Sequence, residues 1–383
     1  MPFGMKEQTE YFVTCSPGLE PVLHREVRAL GFSKVEQQVG GVKFLGTMLD
    51  AWRANLELRT AIRVLRRLER FSCPDDKTLY ETAKAIDWSQ FLASEGTFFV
   101  DAQCRESALD HSQFIAQRTK DAVVDSLRGA SGERPSVAKD DADLRIHVHL
   151  WRDRCTLSVD TSGDSLHKRG WRKYQGFAPV SETIAAAVVL QSAWNQRAPL
   201  VDPFCGSGTI LMEAAMIASG MAPGLFRVFG FEKWPGHDAW AWAKFRADSK
   251  SRIKMPKKLK LIGCDHEHKH ISGAKKNAES VGLEDNFSFE VADALDFPWK
   301  KGWGATVVCN MPYGVRVGSP EELDQLHKEF GASLRANCSG YDFSILVGTR
   351  QFAHLLGFQK WESMPIQNGS LQCRLLTGSL SAD

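Results

Sequence analysis

The chain is 383 residues long, 43% hydrophobic and 25% charged, with 48 basic against 46 acidic side chains and a formal charge of +2. That length suits two or three domains of about 150 residues each, and the ordinary composition excludes a collagen-like or largely disordered chain. No apolar run approaches the roughly 18 residues that span a membrane, and residues 1–10 lack the apolar core of a secretory signal. Nine cysteines are scattered singly with no C-x-x-C pair, a usage that fits a reducing cytoplasm and speaks against disulfides or a cysteine zinc site.

The first 70 residues read as strand, helix, strand, helix: residues 11–15, 19–30, 42–45, and a helix opening at Asp50 as its N-cap. Leu58, Ile62 and Leu65 share one face of that last helix. Arg59, Arg63, Arg66, Arg67 and Arg70 gather on one side of it, a basic patch with Glu69 as its one acid. Residues 71–165 form a second α+β unit: a helix over 79–86, a strand at 97–100, a helix over 112–127, and a hairpin of 144–150 with 155–159. From about residue 166 to 383, short apolar strands (200–202, 259–264, 287–291, 305–309, 343–347) alternate with helices such as 209–218 and 270–281. This alternation predicts an open, mostly parallel Rossmann-like α/β sheet, whose ligands sit at the strands' carboxyl ends. A second basic stretch, Lys244 to Lys260, holds eight lysines and arginines against Asp248. Taken alone, either basic stretch is explained better by a solvated helix face than by a nucleic-acid footprint.

Four strand ends carry chemistry. The first reads Val201-Asp202-Pro203-Phe204-Cys205-Gly206-Ser207-Gly208-Thr209, a strand, a glycine-rich turn and a helix. No lysine follows the glycines, so this is not a phosphate loop, and Leu211 replaces the third glycine of a dinucleotide fingerprint. A carboxylate just before the turn repels a pyrophosphate but suits a cation. S-adenosylmethionine, with its ammonium and sulfonium, fits. At the second strand end Asp265 is suited to ribose hydroxyls, with His266 beside the adenine; at the third, Asp293-Ala294 is suited to the adenine amine. Either acid alone would pass as an N-cap, but three at successive strand ends would not.

The fourth is Asn310-Met311-Pro312-Tyr313-Gly314. An exocyclic amine on a base is a poor nucleophile because its lone pair is delocalised into the ring. A carboxamide oxygen and a backbone carbonyl, both acceptors, can hold its two protons and aim the lone pair at a methyl group. Asn310, facing donor and base alike, and the Met311 carbonyl would do this, with Pro312 stiffening the turn and Tyr313 offering a stacking face. Cys309, inside the strand, reads as core rather than as a nucleophile. His266, His268 and His270 alternate in a run that directly follows the ribose-suited Asp265, so no metal is expected. His147 and His149 are expected to face one side of a sheet without chemistry.

These segments resemble the bacterial 23S ribosomal RNA guanine-N2 methyltransferases of the L type. Asp202 to Ile210 with Glu213-Ala214-Ala215 is similar to their cofactor motif, and Asn310 to Gly314 to their N-(P/L)-P-Y-G catalytic motif, with Met311 where proline is common. The stretch from Leu166 through Arg172 to Ala178-Pro179 and Glu182 resembles the segment that encloses the cofactor's methionine end. Ala222-Pro223-Gly224, Asn368-Gly369 and Cys373-Arg374-Leu375 match further landmarks. Ala85 to Trp88 and Arg134 to Val137 resemble the RNA-binding THUMP domain, preceded by a ferredoxin-like domain.

The resemblance implies a ferredoxin-like domain at 1–70, THUMP at 71–165 and a class I methyltransferase domain at 166–383, without the fused second methyltransferase that makes 7-methylguanine. It implies a cytoplasmic enzyme acting on 23S ribosomal RNA with S-adenosylmethionine, needing no metal or membrane, its oligomeric state open. Gly314 and Arg316 would then join Tyr313 at the substrate, and Arg59, Arg63 and Arg66 would grip RNA phosphates. A guanine-N2 enzyme for transfer RNA, a DNA amino-methyltransferase and a non-catalytic ribosome-assembly factor are the rivals.

Overall fold

A computed structural model describes residues 7–131, 134–176, 179–254, 256, 259–313 and 318–381. In chain order the elements are β1 (Thr9–Thr14), α1 (Glu20–Ala29), β2 (Ser33–Gln38), β3 (Gly41–Gly46), α2 (Met48–Glu57), β4 (Arg63–Ser72), α3 (Asp76–Ala85), β5 (Thr97–Arg105), α4 (Ser112–Ser131), β6 (Ser136–Val137), β7 (Leu144–Trp151) and β8 (Arg154–Asp160). Then come α5 (Glu182–Leu190), β9 (Leu200–Asp202), α6 (Thr209–Ala218), α7 (Ala239–Ser251), β10 (Leu261–Asp265), α8 (His268–Val281), β11 (Phe287–Val291), β12 (Thr306–Asn310), α9 (Pro320–Asn337), β13 (Asp342–Val347), α10 (Arg350–Leu355), β14 (Glu362–Asn368) and β15 (Leu371–Ser379). They fall into two compact units: Met1–Thr14, His24–Leu166 and Arg227–Ala247 in one, Cys15–Leu23, His167–Phe226 and Asp248–Asp383 in the other. Among the described residues no helix is long and apolar enough to cross a membrane.

The first unit is built on one eight-stranded sheet, ordered β2-β3-β1-β4-β8-β7-β5-β6. Its strands follow the period-two rule: in β7, Leu144, Ile146, Val148 and Leu150 are buried, while the residues between them are more exposed. The expected junction at 70–71 falls inside β4, which pairs with β1 on one side and β8 on the other.

The arginine-rich segment departs from expectation. Helix α2 opens at Thr47, not Asp50; Asp50 is the third residue of a capping box with Thr47. The helix ends at Glu57, and the segment that was expected to continue it becomes β4. Glu26 takes the backbone N–H groups of Arg59 and Thr60 at 2.9 and 3.0 Å, closing the turn, and pairing with β1 and β8 draws the chain into the sheet. The arginines therefore form no helical patch. Arg63 is bound to the buried Asp160, Arg67 to Glu10, and Arg66 lies 3.9 Å from Glu7 with its guanidinium 5.5 Å from the centre of the Phe91 ring. Arg63 and Arg66 are held inside the unit, so their expected role as phosphate contacts is withdrawn.

The second unit is a seven-stranded sheet ordered β11-β10-β9-β12-β13-β15-β14, parallel through β13 and antiparallel at β15 and β14. The order reverses direction at β9, with β10 on one side and β12 on the other, so the carboxyl ends of these strands form a topological switch point. Helices α5 and α6 are apolar nearly all round and almost fully buried. Val307, Cys309 and Met311 pack with Phe343, Ile345, Phe330 and Leu334 in one apolar cluster, which anchors the end of β12.

Candidate active site

Asp202 ends β9 at 1% exposure, and its Oδ1 accepts a hydrogen bond from the Phe204 backbone at 3.2 Å. Burial, then the charge of Asp265, pushes its carboxyl well above the usual range. After Pro203 the chain turns through Gly206 (φ 53°) and Gly208 (φ 78°), both in the left-handed region that a side chain would strain. Gly208 serves as the N-cap of α6, and Thr209 is its first residue. The turn is stapled to β10: the Gly206 backbone donates to Asp265 Oδ2 at 3.1 Å.

Asp265 ends β10 and is itself oriented. Its Oδ1 accepts from the Glu267 backbone at 2.9 Å and lies 3.1 Å from His270 Nδ1. His266, by contrast, is 76% exposed and 3.7 Å away. Asp293, two residues past β11, is exposed and accepts from the Leu295 backbone at 2.9 Å, while its neighbour Ala294 is buried. Among the described residues no group of three or more histidine, cysteine, aspartate or glutamate side chains could hold a metal ion.

Asn310 is the last residue of β12. Its Oδ1 is buried and has no hydrogen-bond partner among the described residues. A buried acceptor left unpaired costs about 1–3 kcal/mol, so a ligand N–H that reaches this atom would be bound favourably. Met311 is fully buried and its N–H is tied to Leu346 of β13 at 3.0 Å, which fixes the turn into Pro312. Cys309 is fully buried, and burial raises its thiol far from the reactive range. Gly314 and Arg316 lie outside the described residues.

Tyr313 is held from two sides. Its hydroxyl accepts from Asn368 Nδ2 at 2.8 Å, and Gly348 leaves no room for a side chain, since an added Cβ would lie 2.5 Å from Tyr313 Cβ. Gly348→Ala is expected to cost about 1–3 kcal/mol of stability through this overlap, and Tyr313→Gly in the same chain, which removes the Cβ it strikes, should restore part of it. Denaturant melts of the single and double variants check this; an undisturbed single variant would mean that the ring is not confined there.

Two residues hold the glycine turn: Arg172, which the sequence placed only within the segment resembling the one that encloses the methionine end, and Asn277, which it missed. Arg172 donates from Nε to Glu182 at 2.8 Å, and from Nη1 and Nη2 to the Ser207 and Thr209 hydroxyls at 3.0 Å each. Asn277 of α8 accepts from the Lys173 and Tyr174 backbones at 2.9 Å each, and donates to the Tyr174 and Ser207 carbonyls at 3.0 Å each. The signal for Asn277 was present: a polar residue on the apolar stripe of Ala274, Ala278 and Val281. Together these contacts pre-organise a cation-compatible turn beside an unpaired amide oxygen, an arrangement suited to bringing a charged donor and a nucleophilic nitrogen together.

Comparison with known proteins agrees with this geometry. Residues 169–377 match the RMKL-like methyltransferase domain, residues 10–65 the RlmL ferredoxin-like domain, and residues 74–160 the THUMP domain. The chain is 38% identical over 382 residues to the ribosomal RNA large subunit methyltransferase K/L of Syntrophotalea carbinolica, covering 97% of this chain and 54% of that one. It thus spans about half the length of the curated relatives it matches. The crystal structure of SMU.472 complexed with SAH superimposes with a TM-score of 0.88 at 30% identity, covering 98% of this chain and 99% of that one. A structure described as a predicted N6-adenine-specific DNA methylase from Listeria monocytogenes gives a TM-score of 0.85 at 31% identity, over 96% of each chain. The chain belongs to the RMKL-like methyltransferase family and is an RlmL-like, THUMP-containing class I methyltransferase, a class whose methyl donor is S-adenosylmethionine.

Proposed function

We propose that this protein transfers a methyl group from S-adenosylmethionine to the exocyclic N2 of a specific guanine in 23S ribosomal RNA. The observation that carries the reading is the buried Oδ1 of Asn310, without a partner among the described residues, at the tip of β12, whose neighbour β9 ends in Asp202, with β10 and its terminal Asp265 next in the sheet. The residues fit the donor. Asp202 supplies a buried negative charge for its cationic methionine end, with Pro203, Gly206, Gly208 and Thr209 shaping the turn. Asp265 and His266 would meet the ribose and adenine, and Asp293 with Ala294 the adenine edge. When bound, the donor supplies a methyl group on a positively charged sulfur.

The chain's own residues would do the rest. Asn310 Oδ1 would accept a hydrogen bond from one N–H of the guanine amine and the Met311 carbonyl from the other, with Pro312 stiffening the turn. The nitrogen lone pair would then be aimed for a direct displacement in which the N–CH3 bond forms as the S–CH3 bond breaks, S-adenosylhomocysteine leaves and one amine proton passes to solvent, with no covalent enzyme intermediate. Tyr313, fixed by Asn368 and Gly348, would stack on the base; Gly314 and Arg316 would complete the substrate side. The ferredoxin-like and THUMP domains would bind the RNA, and the chemistry needs one nucleotide turned out of its helix. The choice of large-subunit RNA rests on the K/L relatives.

Mass spectrometry of digested ribosomal and transfer RNA from a deletion strain tests the proposal. Loss of one N2-methylguanosine from 23S RNA is expected. Loss from transfer RNA alone would overturn the substrate, and loss of N6-methyladenine from RNA or DNA would overturn the choice of amine, since the same acceptor pair suits either base.

A further inference from the structure

The basic surface that sequence spacing placed on a helix lies elsewhere. Arg63, Arg66 and Arg67 are engaged internally, with side chains 24%, 14% and 13% exposed. One face of the first unit's sheet carries the buried apolar residues of β5, β7 and β8, and α4 packs against β5. On the opposite face of β5, β7, β8 and β4, register sets Arg105, Trp151, Arg154 and Ser72 side by side, one row from His149, Thr156 and Arg70. These side chains stay open. Arg105 is 81% exposed, Arg152 65%, Arg70 55% and Trp151 46%, an unusual exposure for tryptophan. The β7–β8 turn runs through Arg152 and Asp153 at φ 49° and 56°, and it sets the Arg152 guanidinium 4.8 Å from the centre of the Trp151 ring. Glu106, 3.3 Å from Arg105 and 2.8 Å from Arg152, and Glu10, 3.8 Å from Arg70, answer only part of this charge.

We infer that this sheet end, formed by Trp151, Arg152, Arg105, Arg154, Arg70 and His149, is the surface on which the N-terminal unit binds a single-stranded or unstacked segment of its RNA. An exposed indole backed by a guanidinium is a stacking platform for any base. Arginines on both sides of it reach phosphates without reading sequence. An acidic protein would match the charge but gives no reason for a flat, open aromatic at its centre. The inference rests on the RNA-methyltransferase reading above.

The test uses the full chain, a 23S ribosomal RNA transcript and fluorescence anisotropy across a salt series, with calorimetry of S-adenosylhomocysteine as an independent readout. Trp151→Ala is expected to weaken RNA binding about tenfold, while Trp151→Phe restores it. Arg105→Ala with Arg154→Ala should lower the salt slope by about two. Homocysteine-product binding should stay unchanged in all of them. Wild-type affinity and slope in these variants would overturn the surface but leave the enzyme reading standing. Wild-type protein that binds the product but neither ribosomal nor transfer RNA would overturn the RNA reading, and the surface with it. RNA binding retained while polyglutamate binding is lost would assign the face to an acidic protein instead.

Discussion

Asn310→Ala is expected to slow methyl transfer by about 10²–10³-fold, with affinity for S-adenosylhomocysteine nearly unchanged. The contrast follows from where the side chain sits. Its Oδ1 has no partner among the described residues, so removing it breaks no hydrogen bond among them, and a buried desolvated acceptor is lost. The fold should therefore be as stable as before, or more so. The rate falls because the target amine loses the acceptor that holds one proton and directs the lone pair. Asn310→Asp keeps an acceptor at that position and should fall less. Single-turnover assays with saturating donor, beside calorimetry of the product, separate the two effects. An alanine variant that transfers methyl groups at the normal rate would remove the amide from the chemistry. Full biological function without transfer would favour the scaffold alternative.

The site was more legible than the front of the chain, for physical reasons. In the second unit the central strands β10, β9, β12 and β13 are parallel and largely buried, so they are apolar runs ending in polar turns, and helix α6 spans Thr209–Ala218 as expected. Such strands advertise both their existence and their ends, and the ends are where Asp202, Asp265 and Asn310 stand. The first unit hides more. Strand β2, Ser-Lys-Val-Glu-Gln-Gln, has one apolar residue and lies at the edge, and β14 carries Pro365 at the other sheet's edge. The arginines misled because a register shift between Arg67 and Glu69 in β4 breaks the two-residue alternation, leaving a spacing that imitates a helix. Nor could spacing reveal that His270, not the exposed His266, contacts Asp265, or that Asn277 and Arg172 hold the turn. Those contacts depend on how separate segments meet.

Asp202→Asn should make the ligand-free protein more stable and its hold on the donor weaker. The carboxyl is buried with one backbone N–H donor recorded at it, so the charged form is poorly solvated and the folded state favours the proton. Its contribution to stability is then fully present below the unfolded carboxyl value of about 3.9. It is lost as pH rises from there to the raised folded value. Asparagine has the same shape and cannot ionise, so the variant should escape that loss, gaining about 1–3 kcal/mol at neutral pH. Binding a cation reverses the preference: the ionised carboxylate becomes the favoured partner and a proton leaves on binding. Donor affinity should therefore rise with pH up to the folded value, and calorimetric enthalpies should vary with the buffer's ionisation heat. In the variant both dependences vanish and affinity drops roughly 10–100-fold, the loss of one charge-assisted contact. Melting curves and donor titrations over the same pH range read both halves together. A variant that binds the donor as tightly as wild type, with the same pH slope, would show that the charge at β9 faces something other than the donor.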